Sequence, residues 1–152
     1  MINIVFNENL ACPVDPGILE KAALKGLAQK STGEEVDLSI AIEDNAYLQA
    51  LNLQFLGIDA PTDVLSFPGD EIDPDTGHQY LGDIIISLPM ASAQAVAASH
   101  PLQNELQLLV VHGVLHLLGY DHDTPELKAE MWQLQTQILQ DLCVTINKLP
   151  ED

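Results

Sequence analysis

The chain has 152 residues, 47% of them hydrophobic, and a formal net charge of −18. That length suits one ordinary domain with a sizeable core. Its five basic residues are all lysines, set against 23 acidic side chains, so the averaged surface repels phosphate, lacks the footprint of a general nucleic-acid binder, and gives no expectation of a DNA partner.

Ile2, Ile4 and Phe6 alternate with Asn3 and Val5, which predicts a short first strand. Cys12 follows, and its only companion, Cys143, lies near the other end, in no CxxC or other ligand spacing, as suits structural thiols in a reducing compartment. Asp15 then Pro16 reads as an N-cap with proline at the first helical position, predicting a helix to about Lys30 and a stop at Ser31-Thr32-Gly33. Lys21 and Lys25 share a face of that helix with Lys30 near its end, which is either a solvated face or the chain's one basic patch.

Val36, Leu38, Ile40 and Ile42 alternate with Asp37, Ser39 and Ala41, a second strand buried on one side. Asp44 can cap a helix whose Leu48, Leu51 and Phe55 form an apolar stripe ending at Gly57. Pro61 and Pro68 fence a short strand, because neither can donate to a ladder. An acidic loop (Asp70, Glu71, Asp73, Asp75) then leads to the Ile84-Ile85-Ile86 run, a strand covered on both faces and joined to the fenced one as a hairpin. The loop is not an EF-hand, since position 84 is isoleucine where a bidentate glutamate is needed.

Ser87 and Pro89 start an alanine-rich helix to about Ser99, and Pro101 starts another that is apolar nearly all round, the mark of a buried central helix. Thr124 and Pro125 open a last helix, where Leu127, Met131, Leu134, Ile138 and Leu142 recur at helical spacing and Met131 and Trp132 read as core. The tail from Asn147 reads as frayed. No apolar run reaches the roughly 18 residues of a membrane helix, and the chain opens without a charged-then-apolar leader, so no membrane partner and a cytoplasmic location are expected.

The central helix carries the chemistry. Three of the five histidines fall in the pattern HxxxHxxGxxH over His112-Gly113-Val114-Leu115-His116-Leu117-Leu118-Gly119-Tyr120-Asp121-His122. Four residues make about 400° of turn, which stacks His112 and His116 on one helix face. If the helix ran on, six more residues would carry His122 about 9 Å past His116 and off that face. Gly119 is the residue to end the helix, because without a Cβ it takes the left-handed conformation that turns the chain back. Three imidazoles leave a tetrahedral zinc one open position, as in catalytic rather than structural sites.

Zinc so held makes hydrolysis the natural reaction class. A metalloprotease of this spacing places its general base directly after the first histidine, and here that residue is Gly113, which disfavours peptide cleavage. RNA phosphodiester cleavage asks less, since the substrate's own 2′-hydroxyl can attack once a group takes its proton. Asp121 and Asp123 flank His122, and Asp83 lies in the isoleucine strand; each could orient a ligand imidazole or handle a proton, or be an ordinary turn, helix-start or strand charge.

The histidine stretch resembles the signature of the YbeY endoribonucleases, the rRNA maturation factors of bacteria. Pro61-Thr62-Asp63-Val64-Leu65-Ser66-Phe67 and Leu81-Gly82-Asp83-Ile84 resemble that family's two other recognisable stretches, with Asn52 before them and Glu130-Met131 after. With the element count above, the resemblance implies a single α+β domain over 1–152, with a small mixed sheet of about four strands, about five helices and one buried helix carrying the metal ligands. It implies one zinc ion on His112, His116 and His122; taken with the aspartates above, the expected catalytic group is His112, His116, Asp121 and Asp83. It also implies a single-strand-specific endoribonuclease of rRNA 3′-end maturation and ribosome quality control, with ribosomal RNA and small-subunit components as partners. The family's usual arginine, a few residues after Asn52 and before a glycine, is replaced by Leu56. A ribosome-assembly binding factor with a mainly structural metal is therefore the alternative expectation.

Overall fold

The computed structural model describes residues 1–29 and 35–146. Four strands, β1 (Ile2–Phe6), β2 (Val36–Glu43), β3 (Val64–Pro68) and β4 (Gln79–Ser87), form one sheet in the order β1-β2-β4-β3. The pairs β1–β2 and β2–β4 are parallel, while β3 joins β4 as the expected antiparallel hairpin, making β3 an edge. Between the hairpin strands, Asp73 accepts from the Gly77 N–H through its carbonyl and from the Asp75 N–H through its side chain, so the acidic loop is a turn.

Five helices pack around the sheet: α1 (Pro16–Leu27), α2 (Asn45–Leu56), α3 (Leu88–Ala98), α4 (Leu102–Leu117) and α5 (Pro125–Asp141). Their starts follow the sequence signals closely. Asp15, Asp44, Ser87 and Thr124 each accept a backbone N–H of the first turn. Lys30, the Ser31-Thr32-Gly33 stop and the tail from Asn147 lie outside the described residues.

One face of the sheet (Leu38, Ile40, Ile42, Ile84, Ile86) builds the main core with α1, α3 and α4, and α5 closes over α4. Every residue from Glu105 to Leu115 is buried, as an all-round apolar helix requires. The other face is thinner: α2 covers Leu65 and Ile85 with Leu48. Two predicted stripes are shorter than their periodicity suggested. Phe55 is 57% exposed and packs on Phe67 at the sheet edge, and Leu127 is 41% exposed, because both sit at helix ends that overhang the layer beneath. Among the described residues no helix is long and apolar enough to cross a membrane.

Candidate metal centre

Glycine sets the depth of α4 in the fold. A Cβ on Gly113 would stand 2.9 Å from the Ile84 side chain, and one on Gly26 of α1 would stand 2.9 Å from Val114. Sheet and neighbouring helix therefore press on α4 at the level of the histidines, with no room for a larger residue. A glutamate at 113, as a peptidase would need, would be driven into β4.

The helix ends as the glycine spacing predicts. Gly119 has φ 101°, the Gly119 N–H donates to the His116 carbonyl at 3.0 Å, and the Tyr120 N–H donates to Leu115 at 3.0 Å. That pair of bonds is the Schellman closure, which satisfies the last carbonyls and reverses the chain. His122 follows in a loop pinned on both sides: the Asp121 carboxylate accepts the Asp123 N–H at 3.1 Å, and the Thr124 hydroxyl accepts the Leu127 N–H at 3.2 Å.

The three histidines converge. Their candidate ligand atoms all lie within 4.8 Å of one another, and the Nε2 atoms of His112 and His116 are 3.1 Å apart. Tetrahedral zinc with Zn–N bonds of 2.0–2.1 Å spaces its nitrogens about 3.3 Å apart. The donor set therefore fits a divalent metal with little adjustment. His112 is buried, and its Nδ1–H donates to the Gln135 Oε1 at 2.9 Å. A proton on Nδ1 leaves the Nε2 lone pair for a metal, the arrangement by which outer partners fix a ligand imidazole. Gln135 is fully buried and its Nε2 has no hydrogen-bond partner in the structure. An orphaned amide in an apolar interface costs free energy, so the bond to His112 is the benefit that accounts for a glutamine here.

Beside the triad opens a cleft of about 410 Å³ at the β3 edge, walled by Asn52, Leu56, Ile58, Val64, Pro68 and Leu117. Asn52 holds the rim by donating its Nδ2 to the Ala60 carbonyl at 3.0 Å. Leu56 is 59% exposed on this wall.

The two aspartates expected to act with the histidines do not share one location. Asp121 flanks the site in the pinned loop, with its carboxylate engaged in the turn. Asp83 is not brought to the triad: strand alternation turns it to the α2 side of the sheet with its paired Phe67, while Gly82 and Ile84 face α4. There Asp83 accepts from the Tyr80 hydroxyl, and burial followed by this bond pushes the phenol pKa up. Among the described residues, no carboxylate joins the three histidines as a fourth member of the cluster.

Three neighbours of the site were not assigned to it from the sequence. Gln135 was detectable as a polar residue at a stripe position, four after Met131 and three before Ile138. Trp132, expected in the core, is half-buried with its ring nearly perpendicular to those of His112 and His122, at centroid distances of 5.5 and 5.7 Å. Lys128, one turn earlier on α5, holds its ammonium 5.4 Å from the indole centroid.

Comparison with known proteins agrees with this fold. The family described as Endoribonuclease YbeY matches residues 16–143. A protein named Endoribonuclease YbeY from Pelotomaculum thermopropionicum is 45% identical over 132 residues, covering 85% of this chain and 87% of the relative. Its namesake from Persephonella marina is 41% identical over 143 residues, covering 93% and 94%. The solution structure of TM1509 from Thermotoga maritima superposes with a TM-score of 0.61 at 28% identity, covering 93% of this chain and 89% of that one. With sequence relatives spanning nearly its whole length and a shared fold, the chain belongs to the YbeY family.

Proposed function

We propose that this protein is a zinc-dependent endoribonuclease that cleaves single-stranded RNA, acting in the cytoplasm on ribosomal RNA during 3′-end maturation and in the disposal of defective ribosomes, with small-subunit components as partners. The observation that carries the reading is the convergence of three imidazole nitrogens, one with its tautomer set by Gln135, at the mouth of a cleft. When bound, zinc would supply Lewis acidity toward a phosphoryl oxygen and draw the pKa of water toward about 7.

The chain's own residues do the rest. Gln135 keeps the proton of His112 on Nδ1, the Gly119 closure and the Asp121 turn hold His122 against the helix pair, and Leu56, Ile58 and Val64 present apolar surface to bases while limiting water. A half-open groove at a sheet edge suits one unpaired strand rather than a duplex. The alternative, an assembly factor with a mainly structural metal, draws on Leu56, which offers the cleft wall no charge.

Zinc-loaded protein incubated with single-stranded ribosomal RNA, beside a chelator-treated sample and His116→Ala, separates the two. Cleavage that vanishes in both controls is the expected result; intact RNA with zinc demonstrably bound would favour the assembly factor.

A further inference from the structure

An RNA-cleaving site on a chain of charge −18 needs a local cation for the backbone, and Leu56 cannot supply it. Lys21 and Lys25 do not either. They are exposed on α1, which meets α4 through Gly26 against Val114, and Val114 lies two residues, about 200°, around the helix from His112. The remaining described lysine, Lys128, stands over the indole of Trp132, and the same indole abuts His112 and His122. A contiguous path thus runs from ammonium through indole to the metal-binding imidazoles. Beyond Trp132 the surface of α5 continues as a shallow groove over Gln133, Thr136, Gln137 and Gln140 before it meets Asp141. In a chain with 23 acidic residues, that strip of neutral hydrogen-bonding side chains is a route along which a phosphate backbone meets little repulsion.

We propose that Lys128 is the substrate-binding cation of this site, holding a backbone phosphate next to the scissile one on the Trp132 side of the histidine triad, with Trp132 as the platform that positions its ammonium. The proposal rests on single-stranded RNA being the substrate. The cation–π contact restrains the lysine over the indole. The lysine lies on α5, whereas Leu56 lies on α2.

The test is steady-state cleavage of a short single-stranded RNA by the zinc-loaded enzyme at several salt concentrations, comparing the unmodified protein with Lys128→Ala, Lys128→Arg and Lys128→Glu, with zinc content measured for each. Removing one phosphate contact should raise KM about five- to tenfold in Lys128→Ala with kcat within about twofold, and should lower the slope of log(kcat/KM) against log salt by about 0.7. Lys128→Arg should restore both and Lys128→Glu should be worse than alanine. Unchanged KM and salt slope in Lys128→Ala, with the parent active, would overturn the anchor and leave the nuclease standing. Loss of kcat and zinc together would also overturn it, by making Lys128 a support of the metal site. A parent protein that neither binds nor cleaves RNA would remove the nuclease reading and the anchor with it.

Discussion

The long buried helix has histidine chemistry at both ends, and the two ends behave oppositely. At its start, His100 and Glu105 form a pair at 2.7 Å with side chains only 1% and 4% exposed. At its finish, His112, His116 and His122 turn nitrogens toward one another beside an open cleft. The first pair is complete: its imidazole Nε2 already has a carboxylate. In the second set, among the described residues, no carboxylate joins the three gathered histidines. What a histidine does here follows from the partner its surroundings supply and from access to solvent, since the residue type is the same at both ends.

Substitutions at the two ends should therefore separate activity from stability. His116→Ala should abolish zinc binding and RNA cleavage while unfolding at nearly the parental urea midpoint. A large stability loss would mean that the two ends are not distinct. Glu105→Ala should do the reverse, costing about 3–5 kcal/mol in urea unfolding, the expected cost of leaving one partner of a buried pair alone, with zinc stoichiometry unchanged.

The sealed pair also predicts a pH dependence. Burial pushes the Glu105 carboxyl above its ordinary 4.5, with the nearby Asp63 charge adding to it and His100 opposing. A carboxyl raised in the folded state binds protons more tightly there than in the unfolded chain, so its contribution to stability is full below pH 4.5 and is lost as pH rises toward the folded value. Unfolding free energies of the parent measured upward from pH 4 should thus fall relative to those of Glu105→Gln. Parallel curves would rule this out.

Smaller effects sharpen the description of the open end. Gln135→Ala should weaken zinc by about 10- to 100-fold in a chelator competition, as loss of an outer-shell partner does, and unchanged affinity would mean that the glutamine does not orient His112. Leu56→Arg adds a cation to an exposed cleft wall and should raise kcat/KM about fivefold, equivalent to about 1 kcal/mol from one phosphate contact. No gain would show that the strand does not pass that wall.

Much of this was legible in the sequence because it is local. The four side-chain helix caps, the hairpin, the glycine stop after His116 and the spacing of the triad are all encoded within a few residues of where they act. What escaped depends on distance along the chain. Gln135 reaches His112 across 23 positions, and its signal, a polar residue in an apolar stripe, is faint. Trp132 was assigned to the core because size and hydrophobicity predict burial, whereas its ring lies at the boundary between core and site. The side of the sheet occupied by Asp83 depends on the register of β4 against both neighbours, including a shift between Asp37 and Leu38 opposite it, which periodicity alone does not fix.

The contacts at Gly26 and Gly113 have a consequence for metal loading. Apolar packing alone locks the depth and rotation of the helix that carries two ligands, so an arriving ion meets them already in register and loading requires little rearrangement. In small domains that fold only around their metal, binding and folding are one event. The packing at Gly26 and Gly113 uses no ion, so chelator-treated protein is expected to keep its helical circular-dichroism spectrum, with binding and folding as two events.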